Sequence, residues 1–175
     1  MREYIMICPS CGHDNVPGNE ACGNCEQSLT PLDRPSAGSR VERSLMEDRV
    51  FVLPPNQVVA IRPTTSIRDA IRLMLDRDIG ALLVTDEAGK LLGIFSERDL
   101  LKRVAGIREH PLDEPVRPYM TPRPVTVSPT DTLNYVLHKM DGGGYRHVPV
   151  LDGQKPTSVV SVRDMLRHIM KLCKE

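Results

Sequence analysis

At 175 residues the chain has room for one domain of ordinary size and a small appendage, which excludes two full domains with a catalytic cleft between them. Lys and Arg number 23 against 23 Asp and Glu, with both signs spread along the chain, so it does not coat nucleic acid or an acidic membrane over its whole surface, and any anion site is a local one. Aromatics make up 3% of residues and Trp is absent, so the core is aliphatic.

The N-terminus MREYIMICPS carries charge at Arg2 and Glu3 and breaks its apolar run within a few residues. That pattern predicts neither a signal peptide nor a membrane span, and a cytoplasmic location. Residues 1–30 are poor in aliphatics and hold four of the five cysteines as two CxxC pairs, Cys8 and Cys11, then Cys22 and Cys25. In a reducing compartment such pairs indicate metal rather than a disulfide framework. Four thiolates at this spacing reach the corners of a tetrahedron around Zn(II), with Zn–S bonds of about 2.3 Å, and four protein ligands leave no open position, so the zinc is structural. His13 is the alternative ligand, although the cysteines already complete the shell. Gly12 and Gly23 are expected where a tight turn needs φ > 0. Cys173 stands alone near the C-terminus and is expected to be a packing residue.

The stretch CPSCGHDNVPGNEACGNC resembles a zinc ribbon of the short type that begins many prokaryotic regulatory and membrane-associated proteins, which implies a structural zinc and an interaction role with a protein partner. Nucleic acid is disfavoured as that partner. Residues 1–35 hold Arg2 and Arg34 but no Lys, against Glu3, Asp14, Glu20, Glu26 and Asp33, and a four-thiolate zinc centre is itself anionic.

Residues 31–44 read as a linker, with PLDRPSAGS combining Pro, Gly and Ser without periodicity. Beyond it the aliphatic pattern repeats, a first unit over 45–108 and a second over 109–175. Pro63 corresponds to Pro129, Ile67 to Leu133, Ala70 to Val136 and Met74 to Met140 at an offset of 66, which slips to 65 where Ser96, Arg98 and Asp99 correspond to Ser161, Arg163 and Asp164. Ile67, Ala70, Ile71 and Met74 follow the i, i+3, i+4, i+7 spacing of an amphipathic helix, with Thr65 as its N-cap and Asp131 in that role in the second unit. Gly80 to Val84 and Leu91 to Phe95 read as strands around the turn Asp86 to Gly89, and Ser96 opens a last helix to about Val104. Each unit is thus strand, helix, strand, strand, helix, a mixed α/β (α+β) fold in which two small repeats must pack together to form one module. Gly142 to Gly144 ends the second unit's first helix.

GALLVTDEAGKLLGIFSERDLLKRV in the first unit, with YRHVPVLD and VVSVRDML in the second, resembles a tandem pair of cystathionine-β-synthase (CBS) domains. The resemblance implies a disc-like module with two pseudo-symmetric clefts, a homodimer, and an adenine nucleotide ligand, AMP or ATP first among ADP and S-adenosylmethionine. A carboxylate at a helix start can accept from both ribose hydroxyls with a Ser hydroxyl beside it, which nominates Asp99 with Ser96 and Asp164 with Ser161. The same Ser-x-x-Asp spacing is equally a helix capping box, and one carboxylate can serve both purposes. Adenine would meet the strand backbone around Val59 and Ala60, or Val125 and Thr126, and approach closely at Gly93. Phosphates would take Arg146 and His147, where the resemblance puts phosphate-facing residues, with Arg98 and Arg163 flanking the ribose aspartates. Arg98 and Arg163 are alternatively solvated or paired at a dimer contact. Two departures make the clefts unequal: Ser158 stands where the first unit has Gly93, and Gly80 where the second has Arg146.

No nucleophile with its base, no Gly-rich phosphate loop after a strand and no open metal shell is legible, so the reading is a regulatory sensor rather than an enzyme. The competing readings are a dimerising scaffold with empty clefts, and a nucleic-acid binder acting through the ribbon or the basic stripe Arg163, Arg167, Lys171.

Overall fold

In the computed structural model residues 6–8, 10–16, 19–29, 39–105 and 111–174 are described. The chain divides into two units that cut across the sequence repeats, one holding residues 1–55, 127–148 and 160–175, the other 56–126 and 149–159.

The unit formed by 56–126 and 149–159 is built on a four-stranded sheet in the order β3 (Ala60–Ile61), β4 (Ala81–Thr85), β5 (Leu91–Ser96), β6 (Thr121–Pro122). β3 runs parallel to β4, and the remaining pairs are antiparallel. The parallel pair needs a crossover, which α2 (Ile67–Arg77) supplies. Ile67, Ala70 and Met74 of α2 are buried against Leu82, Val84 and Phe95 of the sheet, and Val104, Val116 and Met120 close the cluster. Each fully buried Leu, Ile or Phe side chain contributes about 1.5–3 kcal/mol, so this helix face and the strand run Leu82–Val84 hold the unit together. β6 follows from no motif in the sequence.

Helix α2 starts one residue later than expected. Ser66 is the N-cap, accepting from the Asp69 amide at 3.1 Å, whereas the Thr65 hydroxyl accepts from the Arg62 amide and closes the preceding turn. The helix after Ser96 also departs from expectation. Only α3 (Glu97–Asp99) is α-helical, and Leu100–Val104 continues as a π turn closed by the Ala105 amide on the Leu100 carbonyl at 2.8 Å.

The other unit holds the cysteine-rich segment, with the short antiparallel pair β1 (Met6–Ile7) and β2 (Asp14–Asn15), together with three helices, α1 (Arg40–Glu47), α4 (Leu133–Gly143) and α5 (Val162–Lys174). Residues 40–44, at the end of the expected linker, are therefore helical, because Ser39 and Glu42 form a capping box that starts α1. Residues 31–38 lie outside the described residues. Leu133, Val136 and Met140 of α4 and Met165 of α5 are buried. The N-cap of α4 is Thr132 rather than Asp131. Thr132 Oγ1 accepts from the Tyr135 amide at 3.2 Å, and the Asp131 carboxylate is already taken by the Ser128 amide at 2.7 Å. Gly144 ends α4 at φ 61°, the left-handed turn that Gly adopts without strain.

β7 (His147–Asp152) and β8 (Lys155–Ser161) form a two-stranded hairpin turned at Gly153, where φ is 61°. Val125 and Thr126 are half-buried but form no strand, so the first strand expected in the second repeat is absent among the described residues. No helix among them is long and apolar enough to cross a membrane.

Candidate functional site

The two CxxC pairs converge. The Sγ atoms of Cys8, Cys11, Cys22 and Cys25 all lie within 4.8 Å of one another, with Cys8 to Cys25 and Cys11 to Cys22 each at 3.6 Å. A tetrahedron with Zn–S bonds of about 2.3 Å has edges of about 3.8 Å, so the donor set fits a four-thiolate metal. His13 is exposed and outside the cluster.

The two knuckles repeat one geometry. The Ser10 amide points at Cys8 Sγ and the Asn24 amide at Cys22 Sγ, each at 3.4 Å. The residue after each pair then turns back, Gly12 N donating to the Cys8 carbonyl at 3.0 Å and Glu26 N to the Cys22 carbonyl at 2.9 Å. Both residues have positive φ, 72° and 60°. The second left-handed position is thus Glu26 and not Gly23. Turn geometry falls on the residue following the CxxC, which the sequence fills with Gly only once.

Burial pushes the Cys8 and Cys25 thiols up. It acts on Cys22 too, but there the amides of Asn24 and Cys25, the Cys11 thiol and the Asn15 side chain outweigh it and lower the thiol to about 6. Such N–H···S contacts favour the thiolate that a metal requires. Cys173, expected in the packing, is exposed near the end of α5.

Each Ser-x-x-Asp motif forms the same local structure. Asp99 Oδ2 accepts from the Ser96 amide at 3.0 Å and hydroxyl at 2.7 Å, and Asp164 Oδ2 from the Ser161 amide at 2.8 Å and hydroxyl at 2.6 Å. Both carboxylates are buried, at 6% and 8% exposure. The strand entering each motif is fastened alike. The Glu97 amide donates to the Gly80 carbonyl at 3.1 Å and the Val162 amide to the Arg146 carbonyl at 3.0 Å, which makes Gly80 the counterpart of Arg146 as the repeat offset requires.

Around Asp99 the structure adds two partners: Thr121 Oγ1 donates to Oδ1 at 3.0 Å, and Arg103 approaches the same oxygen at 3.6 Å while donating to the Tyr119 and Met120 carbonyls. Only Arg103, four residues after Asp99 on a helical turn, was within reach of a spacing argument. Gly93 pairs with Pro122, and a Cβ there would lie 2.7 Å from Met120 Sδ and 2.9 Å from the Thr121 carbonyl. The close approach that Gly93 permits is therefore made by the protein itself. Val59 is half-buried, with its carbonyl accepting from Leu83, and exposed Ala60 pairs with Leu83, so β4 separates both from β5 and Gly93.

Arg146 is exposed and His147 half-buried, and the Arg146 carbonyl accepts from the amide of Val162, the residue after Ser161. Arg98 and Arg163 are exposed, and Arg167 lies 3.5 Å from Asp164 Oδ1. Ser44, Asp48 and His168 also meet, a grouping that the sequence does not bring together. Ser44 donates to Asp48 Oδ2 and stands 2.8 Å from His168 Nε2. The order is Asp–Ser–His: the carboxylate takes the serine proton instead of orienting the imidazole, so this is an α1–α5 contact and not a nucleophile with its base.

The CBS domain family matches residues 43–106 and 116–171, most of the chain. The chain belongs to the CBS domain family. Among its relatives, an uncharacterized 17.7 kDa protein of Acidianus ambivalens is 29% identical over 126 residues, 71% of this chain and 75% of its own length. Longer relatives are matched over only 35% and 26% of theirs. The solved CBS-domain protein of Agrobacterium tumefaciens is 37% identical, covering 64% of this chain and 89% of that one with a TM-score of 0.61. A CBS domain protein of Pyrobaculum aerophilum, solved in complex with AMP, is 28% identical over 73% of this chain and 99% of that one, with a TM-score of 0.62. The mixed α/β fold of two CBS repeats is thereby established, and CBS domains of this kind are typically regulatory rather than catalytic.

Proposed function

We propose that the chain is a regulatory sensor of adenine nucleotides, AMP or ATP, with a structural zinc in its four-cysteine ribbon. The observation that carries this reading is the duplicated buried carboxylate, Asp99 with Ser96 and Asp164 with Ser161, each at the strand-to-helix junction of its repeat. A buried carboxylate at a helix start is a suitable acceptor for vicinal ribose hydroxyls. The AMP complex of the Pyrobaculum aerophilum relative supports the ligand class. The second repeat is the stronger of the two clefts, because Arg146 adds a cation for phosphate where the first repeat has Gly80, and because Met120 and Thr121 already fill the space beside Gly93. His147 assists Arg146 at the phosphate, with Arg163 nearby on the exposed face of α5; Arg98 has the corresponding place in the first repeat. The module acts as a cytoplasmic homodimer and passes its ligand state to a protein partner.

One observation favours a second reading, a ligand-free scaffold: both Ser–Asp pairs are self-satisfied as capping boxes. Calorimetric titration of zinc-loaded, nucleotide-stripped protein with AMP, ATP and S-adenosylmethionine separates the two. Saturable binding lost in Asp164→Ala establishes the sensor; no heat from any of the three establishes the scaffold.

A further inference from the structure

Ser10 lies between two of the four cysteines, has 0% exposure, and is held from outside the ribbon. Its carbonyl accepts from Thr132 Oγ1, its hydroxyl accepts from Asn134 Nδ2 at 2.9 Å, and its own amide is turned to Cys8 Sγ. Thr132 is the N-cap of α4, and Tyr135, whose amide that cap satisfies, packs on the cysteine cluster. On the other side of the knuckle the Arg49 guanidinium donates to the Thr130 carbonyl at 3.0 Å and comes within 3.8 Å of where a Cβ on Gly12 would be. The ribbon is thus seated on the start of the second repeat's first helix, although about 100 residues of chain lie between them.

We propose that the four-cysteine module is an intrachain clasp whose metal loading is coupled to the order of the α4 N-terminus, so that the first helix of the second repeat responds to metal. Among the described residues the ribbon's buried hydrophobic cluster is Cys8, Cys22, Cys25 and Leu29, too little to hold a fold without metal. Losing the metal frees the Cys8–Cys11 knuckle and with it the shape that presents both Ser10 oxygens. Thr132 Oγ1 and Asn134 Nδ2 then lose their partners, and the first turn of α4 loses the surface that orients its cap. Linkage makes the effect reciprocal: whatever loosens the α4 contact weakens metal binding by the same factor. The inference rests on metal binding at the cysteines and is independent of whether a nucleotide binds.

Hydrogen exchange of the full-length, nucleotide-free chain under reducing conditions, with Zn(II) and after its removal by a chelator verified by metal analysis, tests this. The expected result is a rise in exchange at amides 133–136 of about fivefold or more on zinc removal, with β4 and β5 unchanged. In Asn134→Ala, which keeps the Thr132 cap, the zinc-dependent difference shrinks and zinc affinity falls by a comparable factor. Unchanged α4 protection in the zinc-free chain overturns the coupling, as does a loss spread equally over β4 and β5, which signals global unfolding. Full zinc dependence of α4 and unaltered zinc affinity in Asn134→Ala removes Ser10–Asn134 as its route.

Discussion

Thr121 donates its hydroxyl to Asp99 Oδ1 at 3.0 Å, while the other carboxylate oxygen takes the Ser96 amide and hydroxyl. Asp99 therefore has a structural role before any ligand arrives. Asp99→Ala removes all of these bonds and the cap of α3, so it destabilises nucleotide-free protein by about 1–3 kcal/mol, and Thr121→Ala by about 1 kcal/mol. Urea midpoints of the two variants without ligand are the check; wild-type values for both would assign Asp99 to ligand binding alone.

Arg146 is exposed beside the Ser161–Asp164 motif, and its counterpart in the first repeat is Gly80. A charge-assisted hydrogen bond to phosphate contributes about 1.5 kcal/mol or more, so Arg146→Ala weakens AMP binding about tenfold and leaves adenosine binding unchanged. Titration of the variant with both ligands reads this directly, and equal losses for the two would place Arg146 away from the phosphate.

What was legible in the sequence follows from where the signal is local. Helix α2 shows its face through Ile67, Ala70 and Met74, the repeat offset located Asp164 from Asp99, and the CxxC spacing located the cysteine cluster. What the sequence concealed depends on distant partners. Nothing near Ser10 indicates Thr132 or Asn134, and nothing near Gly93 shows that Met120 and Thr121 would fill its open side. The two shifted N-caps are a different failure. Thr65 and Ser66, like Asp131 and Thr132, are adjacent good caps, and the choice falls to the residue whose oxygen is not already held by a preceding turn.

Glu26 occupies in the second knuckle the left-handed conformation that Gly12 occupies in the first, φ 60° against 72°. A side chain there costs about 1 kcal/mol relative to Gly. Glu26→Gly is accordingly expected to stabilise the metal-loaded protein by somewhat less than that, because Gly also loosens the unfolded chain, and Gly12→Ala to destabilise it. Melting temperatures of zinc-loaded protein, shifting up by roughly 1–3 °C in the first variant and down in the second, provide the measurement. A lower value for Glu26→Gly would mean that the Glu26 side chain contributes more than its backbone strain costs.

Zinc uptake is expected to depend steeply on pH. In the metal-free cluster burial keeps Cys8 and Cys25 protonated at neutral pH, whereas Cys22, where hydrogen bonds from Asn24, Cys25, Cys11 and Asn15 outweigh burial, titrates at about 6. A metal held by four thiolates requires deprotonated cysteines, so binding near pH 7 displaces protons from Cys8 and Cys25 but not from Cys22. Acid therefore competes with metal: affinity rises with pH, and the protons displaced from Cys8 and Cys25 alone give a rise of at least about a hundredfold per pH unit above 6, with a steeper dependence below as Cys22 also binds a proton. Competition against a chromophoric chelator at pH 6.5 and 7.5, with proton release followed in weak buffer, measures both quantities. An affinity that does not change between the two pH values would show that all four thiols are already ionised before the metal arrives, and the burial at Cys8 and Cys25 would then have no influence on their protonation.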